Sequence, residues 1–190
     1  MKKVWLFMGG IILLLSLLGC NNPGLSVSDR LSELNHTVST EQDKVIEVQK
    51  IIVDALNKRD KDVIKQYLSP RALKTTDLDE GFDYVFSLFD GKIEDIEKKG
   101  CPVHETLSKS GNTKMLEGNF VLTTTDGKRL TLHFEFWIEN EITQDREGVD
   151  LIKITEYREK PDNVVGISYS CAGVYNPSWD DDPDRIVDDP

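Results

Sequence analysis

The chain has 190 residues and carries 23 Lys and Arg against 34 Asp and Glu, a formal net charge of −11. That length allows one domain with flanking segments, and 38% hydrophobic with 30% charged residues describes a globular chain rather than a fibrous or wholly disordered one. The acidic balance repels phosphates and so works against sequence-independent nucleic-acid binding, and no nucleic-acid partner is expected.

Residues 1–20 read MKKVWLFMGGIILLLSLLGC. Lys2 and Lys3 give a positive start, and Val4 to Leu18 is an uncharged, mostly apolar run. A membrane span needs about 20 apolar residues, so this shorter run reads as a secretory signal. Leu17-Leu18-Gly19-Cys20 resembles the lipobox of bacterial lipoproteins. The resemblance implies cleavage after Gly19 and diacylglycerol on the Cys20 thiol, which makes the lipid bilayer a partner. Only cysteine offers a thioether-forming sulfur, and a small residue before the cut lets the backbone enter a peptidase. Removing residues 1–19 takes away both lysines and leaves 171 residues with a net charge of −13. Residues 20–43 are polar with scattered aliphatics and read as a lipidated tether, in which Leu25, Val27, Leu31 and Leu34 have the spacing of a weak helical turn or two.

From Asp43 the apolar period becomes helical, with Val45, Val48, Ile52, Ala55 and Leu56 on one stripe. Asn57 to Asp60 predicts a turn, and Val63, Ile64, Tyr67 and Leu68 predict a shorter second helix ending before Ser69-Pro70. There serine suits a cap and proline opens a further short helix. Asp77 or Asp79 is placed to cap a third helix with Leu78, Phe82, Val85, Phe86 and Phe89 on one face, ended by Asp90-Gly91.

The period then changes to two. Lys92 to Glu97 predicts a strand, and Lys114–Thr125 and Lys128–Glu139 flank Asp126-Gly127, a two-residue hairpin signal. On the second of these strands Leu130, Leu132, Phe134, Phe136 and Ile138 share one face, and Thr131, His133, Glu135, Trp137 and Glu139 the other. Gly148 to Arg158 predicts another strand, and Val164 to Val174 an edge strand or an irregular arm. Helices first and antiparallel strands second predict an α+β domain over residues 44–175, with the helices on one face of a curved sheet. Residues 176–190 form an acidic tail; from Trp179 onward six aspartates face Arg185 alone, so self-repulsion predicts disorder.

In this order, residues 44–159 resemble a family of uncharacterised Gram-positive lipoproteins with a cystatin-like, nuclear-transport-factor-2-like domain. The resemblance is carried by the string from Phe82 through Asp83-Tyr84-Val85-Phe86-Ser87-Leu88-Phe89-Asp90-Gly91 to Lys92, by His133-Phe134-Glu135-Phe136-Trp137, and by Glu147-Gly148-Val149-Asp150-Leu151. It implies the fold and brings no catalytic motif with it.

The residues themselves offer few chemical sets. His133 and Glu135 point the same way near Trp137, the arrangement of an acid–base pair, while a satisfied sheet histidine on an outer or partner-facing surface is the plainer reading. His36 lies in the tether without an evident partner. Zinc motifs and phosphate-binding glycine loops are absent, so no metal and no cofactor is assigned. Asp180, Asp182 and Asp184 imitate the start of a calcium loop, but Arg185 stands where its glycine belongs. Outside the cytoplasm, Cys101 and Cys171 form an even pair whose bridge would be worth about 4 kcal/mol; the alternatives are two separate buried thiols, or a Cys101 nucleophile beside His104. The aromatic residues Tyr67, Phe82, Phe86, Phe89, Phe134 and Phe136 either fill the helix–sheet core or line a cavity within it.

The reading that follows is a membrane-anchored extracytoplasmic lipoprotein whose domain is a non-catalytic binding or interaction module for an unidentified protein or small molecule. Its site residues are Cys20 for the lipid and Phe82, Phe86, His133, Glu135 and Trp137 for the pocket or interaction face. The alternative is a cell-envelope enzyme of acid–base type.

Overall fold

Thr40 starts the first long helix: its hydroxyl accepts the Asp43 N–H at 3.1 Å, and Glu41 and Asp43 sit at the positive helix end. The computed structural model describes residues 26, 27, 29, 30, 32, 33, 40–159 and 171–181. The signal segment, Cys20, His36, residues 164–170 and Asp182 to Pro190 therefore lie outside the described residues.

Helix α1 (Glu41–Lys58) buries the predicted stripe of Val45, Val48, Ile52, Ala55 and Leu56. It ends at Arg59, whose φ of 52° is left-handed, a conformation costing a non-glycine residue about 1–2 kcal/mol. The Arg59 guanidinium offsets this by donating to the Phe86 carbonyl at 2.9 Å and the Phe89 carbonyl at 2.8 Å. Those carbonyls end helix α3 (Leu78–Ser87) and the residues after it, so one arginine joins two helix ends. Between them, α2 (Lys61–Lys65) is capped by Asp60, which accepts the Val63 N–H at 3.2 Å.

Six strands follow: β1 (Ile93–Gly100), β2 (Val103–Ser108), β3 (Gly111–Thr124), β4 (Arg129–Asn140), β5 (Gly148–Glu156) and β6 (Gly173–Val174). Their order is β1-β3-β4-β5-β6, and β2 also pairs with β3. β1 lies beside Asn119 to Thr124 and β2 beside Gly111 to Leu116, so the two form one edge broken at Cys101-Pro102. β2 was not predicted; all six of its residues are exposed, so it shows no buried alternation. The sheet is also not purely antiparallel. β6 runs parallel to β5, and Leu68 makes a parallel bridge to Val149.

The core lies between helices and sheet. Leu116, Phe120 and Leu122 of β3 face Leu130, Leu132, Phe134 and Phe136 of β4, all buried, each worth about 1.5–3 kcal/mol. Gly118 is required there, because a Cβ on it would meet the Phe134 ring at 2.3 Å. The α+β prediction holds, with a few helices and a mixed six-stranded sheet.

The β3–β4 connection differs from prediction by one residue. Thr124 and Lys128 pair through the Thr124 N–H at 3.0 Å, and the Gly127 N–H returns to the Thr124 carbonyl at 2.9 Å. Only Gly127 of this loop has a positive φ, 80°, so the connection is a three-residue loop closed by a left-handed glycine.

The flanks of the domain are also packed. In the stretch read as tether, residues 27, 29, 30, 32 and 33 are helical, Val27 touches the core, and Arg30 lies over the Tyr67 ring at 5.6 Å. At the other end Trp179, assigned above to a disordered tail, is 3% exposed in a 3-10 turn over Pro177–Asp181. Asp77 does not cap α3. Its carboxylate accepts the Trp179 indole N–H at 2.6 Å and the Asn176 amide at 3.1 Å.

Candidate functional site

The second face of the sheet, away from the main core, collects polar side chains. The β3–β4 register sets Glu117 opposite Glu135 and Asn119 opposite His133. On the other side β5 sets Lys153 opposite His133 and Leu151 opposite Glu135. Directly paired residues share a face, so Glu117, Asn119, His133, Glu135, Leu151 and Lys153 lie together there.

A bulge completes the cluster. Between Glu135↔Leu151 and Phe136↔Val149 the β5 strand carries Asp150 as an extra residue, fully enclosed at 0% exposure. Its carboxylate accepts the Ser69 hydroxyl at 2.7 Å, Arg71 Nη2 at 2.8 Å and Nε at 3.3 Å, and Arg146 Nε at 3.2 Å. Ser69 in turn accepts the Ala72 N–H at 2.9 Å, so the predicted serine cap forms and also anchors the bulge. Burying a carboxylate costs several kcal/mol, which these four donors offset. The Arg146 guanidinium then stacks 4.5 Å over the Trp137 ring.

Glu135 is the unusual member. It is 9% exposed, and among the described residues no hydrogen bond reaches its carboxyl group. Burial first, then the negative charges of Asp150 and Glu117, raise it to about 7, against the pull of Arg146 and Arg71. Beside it, burial lowers His133, helped by Lys153 and opposed by Glu117. His133 Nδ1 is 2.9 Å from Asn119 Oδ1, and His104 Nε2 is 2.8 Å from Glu117 Oε1. The Trp137 indole N–H is enclosed with no hydrogen-bond partner. At neutral pH the site thus offers a carboxyl group able to give or take a proton, a neutral imidazole and an unsatisfied donor.

His133, Glu135 and Trp137 are therefore brought together as predicted, but half-buried or buried rather than on an open surface. Phe82 and Phe86 do not join them. Phe82 is buried in the helix–sheet core and Phe86 packs against it, with ring centroids 6.3 Å apart. Phe89, Phe134 and Phe136 are buried in the same core, with Tyr67 against it, so these aromatics fill the helix–sheet space. Cys101 is an unbridged thiol against that core, raised by burial, whereas Cys171 lies in a separate cluster with Leu151, Tyr175 and Trp179. Of the alternatives read from the sequence, the structure holds two separate thiols rather than a Cys101–Cys171 bridge.

Glu117, Asn119, Arg71, Arg146 and Asp150 were missed as site residues. Their signal was the hairpin register. A two-residue loop would have set Glu135 opposite Gly118, whereas the three-residue loop sets it opposite Glu117.

Residues 50–159 match the family described as Domain of unknown function (DUF5104), over more than half of the chain. The chain belongs to the DUF5104 family. The matched region of this DUF5104 chain holds the whole Glu135 cluster, from Arg71 to Lys153. Among curated proteins none matches it. Among the described residues of the DUF5104 chain, no helix is long and apolar enough to cross a membrane, and no three His, Cys, Asp or Glu side chains converge as a metal cage.

Proposed function

We propose that this protein is an extracytoplasmic lipoprotein, anchored through diacylglycerol on Cys20, whose domain is a binding or interaction module. The observation that carries the anchor is Lys2-Lys3, the apolar run Val4 to Leu18, and Leu17-Leu18-Gly19-Cys20 in that order. Two acyl chains hold a protein durably on a bilayer, at about 0.8 kcal/mol per buried CH₂. The Gram-positive setting and the cystatin-like, nuclear-transport-factor-2-like architecture belong to the same proposal. Helices α1 to α3 preceding and covering one face of a meandering sheet support that architecture.

The binding role is supported by the second sheet face, where the Trp137 N–H is enclosed without a hydrogen-bond partner beside the largely buried Glu135, whose carboxyl group no protein donor reaches among the described residues. Structural polar clusters satisfy their members, as Asp150 is satisfied; groups left unsatisfied suit a ligand that completes them. Growth with labelled palmitate tests the anchor: label on the wild type and none on Cys20→Ala is the supporting result. Equal membrane retention of Cys20→Ala would contradict it.

One observation favours a second reading, an envelope enzyme of acid–base type. Glu135 at about 7 and a neutral His133 are suited to proton transfer near neutrality. Carbodiimide labelling at pH 6 tests the access that both readings need: modification of Glu135 in the folded protein supports a site open to ligand or substrate, and protection contradicts it.

A further inference from the structure

The exposed edge formed by β1 and β2 is guarded along one half and open along the other. β1 carries Glu94, Asp95, Glu97, Lys98 and Lys99 and two register shifts, the devices that stop an edge from pairing with another chain. β2 reads Val103-His104-Glu105-Thr106-Leu107-Ser108, with no lysine, proline or bulge, and among the described residues pairs only with β3. Every residue of β2 is exposed; Leu107 is 75% and Val103 45% accessible.

The backbone fixes which groups are open. The Glu117 N–H bonds the Pro102 carbonyl at 2.9 Å, and Ser108 closes the hairpin opposite Gly111. Even-numbered residues of β2 therefore direct their N–H and C=O toward β3, and Val103, Glu105 and Leu107 direct theirs outward. A second antiparallel β2 can bond only by matching odd with odd residues. The register that uses all three places Val103 against the partner's Leu107, Glu105 against the partner's Glu105, and Leu107 against the partner's Val103.

That register is self-complementary. It joins apolar to apolar twice, and each Glu105 has Lys114 as its β3 neighbour, so the row across the junction runs Lys-Glu-Glu-Lys. Lys114 Nζ bonds Glu41 Oε1 at 2.9 Å, and after Glu41 the neighbouring Glu105 also acts on it, so each lysine leaves part of its field beside the facing carboxylates. We propose that β2 is a homodimerisation edge, joining two copies about a twofold axis at Glu105 into one continuous sheet.

The test uses the full chain in mild detergent. In a hydrogen-bonded antiparallel pair the Cα atoms stand about 5.5 Å apart, within the roughly 4.4–6.8 Å that a disulfide spans. Glu105→Cys should therefore cross-link to itself on mild oxidation, above the wild-type background from the native cysteines. Sedimentation should show a wild-type dimer that tightens with added salt, since each copy carries −11. Glu105→Pro removes an outward N–H and the facing carboxylate but no bond to β3, so it should keep its hairpin by circular dichroism yet dimerise at least about tenfold more weakly. Glu105→Gln, which keeps the N–H, should dimerise at least as well as the wild type. A wild type that stays monomeric at all concentrations, including one that captures only a foreign extended peptide, overturns the proposal. So does a dimer unchanged by Glu105→Pro, or a failure of Glu105→Cys to exceed background.

Discussion

Glu135 shows how one buried side chain ties pH to stability. In the folded protein it keeps its proton up to about 7, whereas in the unfolded chain it loses it near 4.5. Between those values the folded state binds more protons, so stability falls as pH rises, with the full cost present above 7 and none below 4.5. Glu135→Gln removes the charge, so in urea titrations it should match the wild type at pH 4 and exceed it at pH 8, by on the order of 3 kcal/mol. A mutant less stable at both pH values would contradict the burial argument. Asp150 is the opposite case, a carboxylate with every lone pair engaged. Asp150→Ala removes the carboxylate that Ser69, Arg71 and Arg146 all bond and should cost about 3–5 kcal/mol, read as a fall in the urea midpoint. Little of this was legible residue by residue. Asp150 appears in the sequence as an ordinary strand residue, because a bulge changes which way a side chain points without changing the hydrophobic pattern around it.

At the scale of elements, periodicity was informative where one face is buried and silent where neither or both are. α1 and β4 were legible because Val45 to Leu56 and Leu130 to Phe136 carry their periods in full. β2 was not, since its side chains all meet water. The β3–β4 loop turned on one residue, and that residue decided whether Glu135 faces a glycine or a second carboxylate. Trp179 was hidden by its acidic neighbours. Composition described the stretch correctly as charged, but one indole buried against Tyr175 at 5.6 Å and bonded to Asp77 holds the segment down. Trp179→Ala should cost about 3–5 kcal/mol and shift the melting midpoint. No shift would mean the C-terminal segment contributes nothing to the fold. Gly118→Ala should destabilise by about 1–3 kcal/mol, because its Cβ enters the Phe134 ring. A neutral effect on the melting midpoint would show that the ring moves aside at no cost.

For the whole molecule, the proposed anchor has to work with an acidic body. A net charge of −11, or −13 once Lys2 and Lys3 are removed, is repelled by anionic lipid, so under the proposed anchoring contact with the bilayer would fall to the acyl chains on Cys20. The same charge would make the proposed self-association salt-dependent. The α+β class was readable from the order of periods; the edge strand or irregular arm expected over Val164 to Val174 contains β6, whose parallel direction was not readable, because two residues carry no period at all. Membership of a family of undescribed role leaves the anchor as the claim on which the account rests. Its most direct measurement is the intact mass of the chain purified from cell membranes. The account predicts a mature protein beginning at Cys20 with a diacylglycerol thioether; a soluble chain still beginning at Met1 and carrying no lipid would contradict it.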